Sequence, residues 1–174
     1  MLTGNDCLRG VRKMNDIAAE IIEILRGRKL TLGTVESATG GLIAHLLTGV
    51  PGSSDVFLGS IVSYSNDIKM NLAGVQKTSL EKYGAVSPQV ANEMAAGGRK
   101  AFGVDICVAD TGIAGPGGAT PGKPVGLFYL GLSTKEGTVA QKHLFTGSRE
   151  ENKQQAAQTA LLRVLDYLKK LPLG

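Results

Sequence analysis

The spacing of apolar residues alternates between helical and strand periods along the first third of the chain. Residues 16–26, DIAAEIIEILR, put isoleucine and leucine on one helical face and predict an amphipathic helix. Residues 30–35, LTLGTV, are apolar and partly β-branched, which is typical of a buried strand. Residues 42–47 return to helical spacing after the Gly40-Gly41 pair. This stretch therefore predicts helix, strand, tight turn and helix.

The same patterns continue to the end of the chain. We predict further strands over residues 56–64, 104–109, 125–133 and 138–145. We predict further helices over residues 78–83, 87–103 and 148–168, and one that begins at Asn66 as its cap. Because helices stand before, between and after strands, the fold class is α/β, a three-layer α/β/α sandwich. The late hairpin makes the sheet mixed, and we expect it to be mostly parallel.

Length and composition predict one domain across residues 1–174, with residues 1–13 as a flexible N-terminal extension. No apolar run approaches the roughly 18 residues that cross a bilayer, and the N-terminus lacks the apolar core of a signal peptide. We therefore expect a cytoplasmic protein with no membrane partner. We also expect a homo-oligomer.

The charge balance favours a small anionic ligand over nucleic acid. Net charge is +4, with 19 basic and 15 acidic residues spread along the chain rather than in runs. Aromatic residues make up 5% and tryptophan is absent, which disfavours a base-stacking surface. The two cysteines and two histidines are far apart in sequence and form no metal-ligand motif. We expect neither a metal nor a cofactor.

The turn after the first strand, Glu36-Ser37-Ala38-Thr39, is the first candidate for chemistry. Ligands collect at the carboxyl ends of strands in open α/β sheets, and helix N-termini attract anions. Ser37 would lie at such a place, with Thr39 as the N-cap of the following helix. The alternative is a strand-to-helix turn in which serine and threonine only cap the helix.

A second candidate, the glycine-rich loop TGIAGPGGATPGKPVG, resembles a phosphate loop only superficially. Residues 117–123 fit the pattern GxxxxGK, but Pro124 stands where a magnesium-binding serine or threonine is required. A strand rather than a helix follows, so the sequence excludes a Walker loop.

A serine nucleophile needs a base, and the sequence leaves more than one open. His45 lies two helical turns from Ser37, roughly 10 Å away by helix rise, whereas His143 cannot be placed. Tyr64 and Lys69 straddle a strand-to-helix turn. A lysine acts as a base only if its pKa falls from about 10.4 toward 7–8, which requires burial or a neighbouring cation.

Several runs of this sequence together resemble one known family. In order along the chain they are ESATGGLIAHLLT, VPGSSDVFLGSIVSYSNDIK, GAVS, TGIAGPGGATPGKPVG and GSRE. These runs closely resemble the CinA C-terminal family, which comprises C-terminal domains of competence/damage-inducible proteins and stand-alone nicotinamide-nucleotide amidases. The resemblance extends from about Leu30 into the final helix.

The resemblance implies an α/β/α fold and hydrolysis of the carboxamide of nicotinamide mononucleotide to nicotinate mononucleotide and ammonia. It implies a serine nucleophile at Ser37, with Tyr64 and Lys69 from the motif YSNxxK. We interpret Lys69 as the base, aided by Tyr64. The resemblance also implies roles for Thr111 and Arg149, and we expect Arg149 to bind the substrate phosphate.

The oxyanion site has two candidate sets of backbone N–H groups. One comprises Thr39, Gly40 and Gly41, and the other comprises Thr111 and Gly112.

Two residues depart from the usual pattern of that family. Ala38 stands where a cysteine is usual, and Asp110 stands where an apolar residue is common. Asp110 could orient a base or weaken the affinity for an anion. The alternative function is a non-catalytic nucleotide-binding or competence-associated regulatory module on the same fold.

Overall fold

The computed structural model describes residues 13–172, which form six α-helices and a five-stranded sheet. The helices are α1 (Met14–Arg28), α2 (Leu42–Thr48), α3 (Asn66–Ala73), α4 (Lys77–Tyr83), α5 (Pro88–Phe102) and α6 (Arg149–Lys170). The strands are β1 (Leu32–Glu36), β2 (Phe57–Val62), β3 (Ile106–Gly112), β4 (Leu127–Thr134) and β5 (Gly137–Leu144). A short 3₁₀ turn, Ser53–Asp55, precedes β2. Of the predicted N-terminal extension, residues 1–12 lie outside the described residues, and Lys13 directly precedes α1.

Helices cover both faces of the sheet, as expected for an α/β/α sandwich. α1, α2 and α6 pack on one face around Ile17, Leu32, Ile43 and Leu161. α3, α4 and α5 cover the other face. α5 lies very close to the sheet. Gly98 of α5 leaves no room for a side chain, since a Cβ there would overlap a methyl group of Val35.

The strand order is β2-β1-β3-β4-β5, and the prediction of a mostly parallel sheet is wrong. β1 pairs in parallel with β2 and β3, whereas β3–β4 and β4–β5 are antiparallel and are the longer pairings. Parallel neighbours need a long crossover, which the helices between β1, β2 and β3 provide. No helix separates β3 from β4 or β4 from β5, so the chain turns back on itself at each point.

Several predicted helix ends differ from the observed ones by a single residue. Ser65 rather than Asn66 caps α3, and its hydroxyl accepts from the Ile68 N–H at 3.2 Å. Ser87 caps α5 with proline at its first position, and Ser148 forms a capping box with Glu151 at the start of α6. Within residues 13–172, no helix has the length and apolar character that crossing a bilayer requires.

The topology brings the ends of three strands together. β1, β2 and β3 run in the same direction, so their carboxyl ends meet at one edge of the sheet. The chain leaves β1 toward β2 on one side, and β3 lies on the other side of β1. This reversal makes the end of β1 a topological switch point, where α/β proteins bind ligands.

Candidate active site

The side chain of Glu36, the last residue of β1, holds the turn that follows this strand. Its carboxylate accepts from the backbone N–H groups of Gly41, Ile43 and Ala44 at 2.9, 3.0 and 2.8 Å. Glu36 therefore caps α2, and the prediction that Thr39 is the N-cap is wrong. Gly41 is the N-cap residue, with φ of 98°, a conformation that favours glycine.

A second carboxylate, that of Asp110 on β3, holds the first part of the same turn. It accepts from the backbone N–H groups of Ser37, Ala38 and Thr39 at 3.0, 2.9 and 3.2 Å. The Thr39 hydroxyl also donates to Asp110 and lies 2.7 Å from Glu36 Oε2. Asp110 is fully buried, and this burial raises the pKa of its carboxyl to about 6, although the hydrogen bonds oppose the rise.

Lys69 of α3 directs its amino group at the Ser37 hydroxyl. Nζ lies 2.9 Å from Ser37 Oγ and 2.5 Å from the carbonyl oxygen of Ser63. The residue is only 2% exposed, and this burial lowers the pKa of its amino group, while the negative charge of Asp110 opposes the decrease. In the sequence, the apolar residues around Lys69 are the sole indication that it is buried.

Ser37 and Lys69 open onto a cavity of about 200 Å³ at the carboxyl ends of the strands. Tyr64, Asn66, Thr111, Gly112 and Arg149 are among the residues that line it. The structure thus brings together side chains from both faces of the sheet and from the start of α6.

The lining residues are partly engaged with one another. Arg149 donates to the carbonyl of Gly115 at 2.8 Å and to the Tyr64 hydroxyl at 3.1 Å. Tyr64 is 66% exposed and forms the rim rather than the floor of the cavity. The Thr111 hydroxyl donates to the carbonyl of Ala85 at 2.8 Å. Thr39, Gly40 and Gly41 belong to the turn behind Ser37 and do not line this cavity.

β3 extends farther than predicted and includes Thr111 and Gly112, which the sequence pattern assigns to a loop. The Ile106 N–H donates toward β1, to Thr31, and the Ile113 N–H donates toward β4, to Leu127. Because N–H groups alternate in direction along a strand, the Gly112 N–H is directed to the β1 side. The pairing of β1 with β3 ends at Val35 and Ala109, so this N–H lies beyond the paired segment, and Gly112 lines the same cavity as Ser37.

Neither histidine lies at this site. His143 is on β5, which is separated from β1 by two strands, and its ring stacks on Phe145 with 5.7 Å between centroids. His45 is on α2 and lines a different cavity, with Asn15 and Pro51. The histidine alternatives for the base therefore lack the contact with Ser37 that Lys69 makes.

Sequence reasoning missed Asn66 and the supporting carboxylate of Glu36, and it singled out Asp110 only as a departure from a family pattern. A carboxylate within the apolar run VDICVAD is the signal that could have found Asp110, because a buried acidic side chain needs partners.

A larger cavity, of about 520 Å³, lies at the opposite edge of the sheet, between Arg28, Asp105 and Tyr167. Its lining residues include no nucleophile with a neighbouring base, so its size does not make it the better candidate for chemistry. Among residues 13–172, no three histidine, cysteine or acidic side chains are grouped closely enough to hold a metal ion.

The chain is thus an α/β protein in which a buried lysine of α3 contacts the serine that follows β1. The sequence profile of the CinA C-terminal domain matches residues 14–168, and the chain belongs to that family.

Curated relatives include a CinA-like protein of Leptospira borgpetersenii, 45% identical over 166 residues, and a putative competence-damage inducible protein of Moorella thermoacetica, 52% identical over 138 residues. These alignments cover 95% and 79% of this chain. They cover only 40% and 33% of the relatives, which are much longer proteins.

Solved structures of relatives have the same fold. A CinA superfamily protein from Klebsiella pneumoniae superposes with a TM-score of 0.88 at 28% identity, over 92% of this chain and all of that one. A competence/damage inducible protein from Agrobacterium tumefaciens gives a TM-score of 0.86 at 38% identity, over 90% of this chain and 96% of that one.

Proposed function

We propose that the protein is an amidohydrolase that converts nicotinamide mononucleotide to nicotinate mononucleotide and ammonia. The observation that carries the proposal is the 2.9 Å contact between Ser37 Oγ and the buried amino group of Lys69. A serine with a neighbouring group able to take its proton is the arrangement that acyl transfer requires. The substrate is inferred from the resemblance of the surrounding motifs to those of the CinA C-terminal family.

The first half of the reaction would transfer the acyl group to Ser37. Neutral Lys69 accepts the hydroxyl proton as Oγ attacks the carboxamide carbon, which gives a tetrahedral intermediate. Lys69 then donates that proton to the nitrogen of the carboxamide, the C–N bond breaks, and ammonia leaves. A nicotinoyl ester remains on Ser37.

The second half would release the acid. Water occupies the position that the ammonia has left, and neutral Lys69 accepts its proton as the oxygen attacks the ester. The C–O bond to Ser37 then breaks, and the proton on Lys69 returns to Oγ. Free serine and the carboxylic acid result, and the acid releases its remaining proton to solvent to give the carboxylate. The lysine ends each half as it began.

The Gly112 N–H is the best-supported donor to the oxyanion of both intermediates. The N–H groups of Thr39 and Gly41 already donate to Asp110 and Glu36, and Gly40 does not line the cavity. Gly112 lines the cavity, and the alternation of N–H groups along β3 directs its N–H to the β1 side. One such donor typically contributes about 3–4 kcal/mol to the stability of the transition state.

The remaining residues suit recognition rather than proton transfer. The cavity is small, so we propose that it holds the carboxamide end of the substrate and that the nucleotide extends over the rim. Arg149 lies at this rim, where its guanidinium can bind the phosphate. Tyr64 would assist from the same rim, and Thr111 would hold the Ala85 wall of the cavity in place.

The test is ammonia release from nicotinamide mononucleotide by the purified protein, with the nucleotide product identified by chromatography. We expect Ser37→Ala to lower kcat by about a thousandfold or more, because the nucleophile is absent. Ser54→Ala is the matched control, since Ser54 is an exposed serine distant from the cavity.

Near-normal turnover by Ser37→Ala would contradict the assignment of the nucleophile. Binding of the nucleotide without turnover by the native protein would instead favour the alternative function, a non-catalytic nucleotide-binding or regulatory module. Calorimetric titration with the same nucleotide separates that result from a protein that does not bind it.

A further inference from the structure

Three consecutive backbone N–H groups of the nucleophile turn converge on one side chain from another strand. Those of Ser37, Ala38 and Thr39 donate to the carboxylate of Asp110, at distances from 2.9 to 3.2 Å. Asp110 is more than 70 positions away along the chain, so the contact ties the end of β1 to β3. The backbone of Ser37 itself is held by this one carboxylate.

The two carboxylates below the turn divide its support between them. Glu36 holds the last part, from Gly41 into α2, whereas the N–H groups of residues 37–39 donate to Asp110. Asp110 therefore holds the part that carries the nucleophile. If Asp110 were removed, Glu36 could still cap α2, but the three N–H groups next to Ser37 would lose their acceptor.

The Thr39 hydroxyl joins the two carboxylates, and it has only one proton to donate. It contacts Glu36 Oε2 at 2.7 Å and also contacts Asp110 Oδ1. When both carboxyls are ionised, one of these two contacts lacks a hydrogen. A proton on Asp110 Oδ1 would supply it, and Oδ2 would still accept from Ala38 and Thr39. The network therefore holds the turn in either protonation state of Asp110.

We propose that Asp110 is a positioning residue for the nucleophile: it fixes the backbone of residues 37–39 so that Ser37 Oγ faces Lys69. This inference rests on the proposed function for its kinetic consequences. The fixing of the turn stands on geometry alone.

Asp110 is the carboxylate whose negative charge acts on Lys69. Asp110 does not line the cavity, and the titratable or charged groups that do, besides Lys69, are Tyr64, from the turn between β2 and α3, and Arg149, from the start of α6. Glu36 faces Asp110 from the end of β1. An ionised Asp110 favours the charged form of Lys69, and its loss favours the neutral form that acts as a base.

The experiment compares Asp110→Ala, Asp110→Asn and the control Asp105→Asn in the full chain. Asp105 also ties β3 to β1, since its carboxylate accepts from the backbone and hydroxyl of Thr31 at 2.8 and 2.9 Å, but at the opposite edge of the sheet. Because misplacement of a reacting group by about 1 Å can cost about a hundredfold, we expect a loss of that size in kcat for Asp110→Ala. Asp105→Asn should leave kcat unchanged.

The pH profile distinguishes positioning from simple support of the fold. Asp110→Asn keeps the shape of the protonated side chain and removes the negative charge. The acidic limb of its kcat/KM profile should therefore shift to lower pH than in the native protein. A purely structural role would reduce the amount of folded protein and leave the limb in place. A native kcat together with a native pH profile would overturn the proposal.

Hydrogen exchange of individual amides provides a measurement that does not depend on activity, and its comparison within the native protein needs no variant. In the native protein, the amides of Ala38 and Thr39 should be protected to the same degree as those of Ile43 and Ala44, which donate to Glu36. In Asp110→Ala, only the first pair should lose protection. Exchange of Ala38 and Thr39 at unprotected rates in the native protein would overturn the inference. Failure of the native protein to hydrolyse the amide would contradict the proposed function and leave this measurement valid.

Discussion

Lys69 carries an amino group into a part of the molecule where an ionised side chain is costly. It is surrounded by the end of β1, the turn after β2 and the wall formed by β3, and its amino group contacts the oxygen atoms of Ser37 and Ser63. Burial lowers the pKa of this amino group, and the neutral form that results is the form that can accept a proton. The same burial that destabilises the charge therefore favours the form of Lys69 that the proposed function requires.

Replacement of Lys69 by arginine distinguishes proton transfer from charge stabilisation. Arginine stays charged in proteins, so Lys69→Arg retains the cation and removes the base. We expect Lys69→Arg to be nearly as inactive as Lys69→Ala, each reduced by about a hundredfold or more in kcat. The measurement is the rate at saturating nicotinamide mononucleotide from pH 6 to 10.

Lys77→Arg serves as the control for that comparison, because Lys77 is a well-exposed lysine on α4. Recovery of most of the native rate by Lys69→Arg would show that residue 69 acts through its charge. Tyr64 would then be the next candidate for the base.

At the scale of the elements, the site is built where strands end and helices begin. β1 leads directly into Ser37, β3 contributes Asp110 and Gly112, the connection from β2 into α3 contributes Tyr64 and Lys69, and α6 contributes Arg149 as its first residue. Turns are easily altered without disturbing the core, whereas strand ends are held by the ladder beside them. The candidate site residues lie partly in turns and partly at strand ends.

The start of α6 gives a prediction about substrate choice. Arg149 donates to the carbonyl of Gly115 and to the Tyr64 hydroxyl at the cavity rim, and under the proposed function its remaining N–H groups would bind the substrate phosphate. We expect Arg149→Ala to raise KM for nicotinamide mononucleotide by about ten- to a hundredfold, the range for a hydrogen bond to a charged group. KM for the dephosphorylated riboside should change much less.

The exposed lysine of β5, Lys142, supplies the control variant Lys142→Ala. Equal discrimination between nucleotide and riboside by Arg149→Ala and the native protein would mean that the phosphate is bound elsewhere. Lys123 would be the next candidate, since its amino group lies 2.6 Å from the carbonyl of Tyr83, near the Ala85 wall of the cavity.

At the scale of the whole molecule, the site places a cost on folding. The fold buries Glu36, Lys69 and Asp110 between its layers, although charged side chains are rarely buried unless they are paired or hydrogen-bonded. Native proteins accept such costs at functional sites and recover them in the rest of the core. Here the burial of apolar side chains on the two faces of the sheet offsets the free-energy cost of burying these charged groups.

This cost predicts a pH dependence of stability. The pKa of Asp110 rises from 3.8 to about 6 on folding, so between these pH values the folded protein binds more protons than the unfolded chain. The contribution of Asp110 to stability is therefore present below pH 3.8 and is lost as the pH rises to about 6. The loss corresponds to about 3 kcal/mol at 1.36 kcal/mol per pKa unit.

Denaturant unfolding of the native protein and of Asp110→Asn, at intervals from pH 4 to 7, measures this loss. The difference in free energy of unfolding between the two should fall by about 2 kcal/mol over that range, because part of the loss already occurs below pH 4. Asp105→Asn, which removes an exposed carboxylate, controls for the general effect of one charge fewer. A difference that stays constant from pH 4 to 7 would show that Asp110 is not protonated within the folded state.

The sequence by itself determined most of the local structure, because the signals for helices, caps and turns act over a few residues. The amphipathic periods of α1 and α6, the Ser87-Pro88 start of α5 and the Ser148 capping box all follow from adjacent side chains. The resemblance of its motifs to those of the CinA C-terminal family adds the candidate site residues, namely Ser37, Tyr64, Lys69, Thr111 and Arg149.

Only the tertiary structure decided how those pieces meet, because the decisive contacts join residues that are far apart in the chain. The direction of β4 and β5 depends on which connections contain a crossover helix, and the periodicity of a strand does not record its direction. The side chain that accepts from the first N–H groups of α2 is Glu36 rather than Thr39. The Thr39 hydroxyl instead contacts two carboxylates, those of Glu36 and Asp110, which come together only on folding. Burial of Lys69 against Ser37 and Ser63 likewise joins separate segments, and that burial lowers the pKa of its amino group.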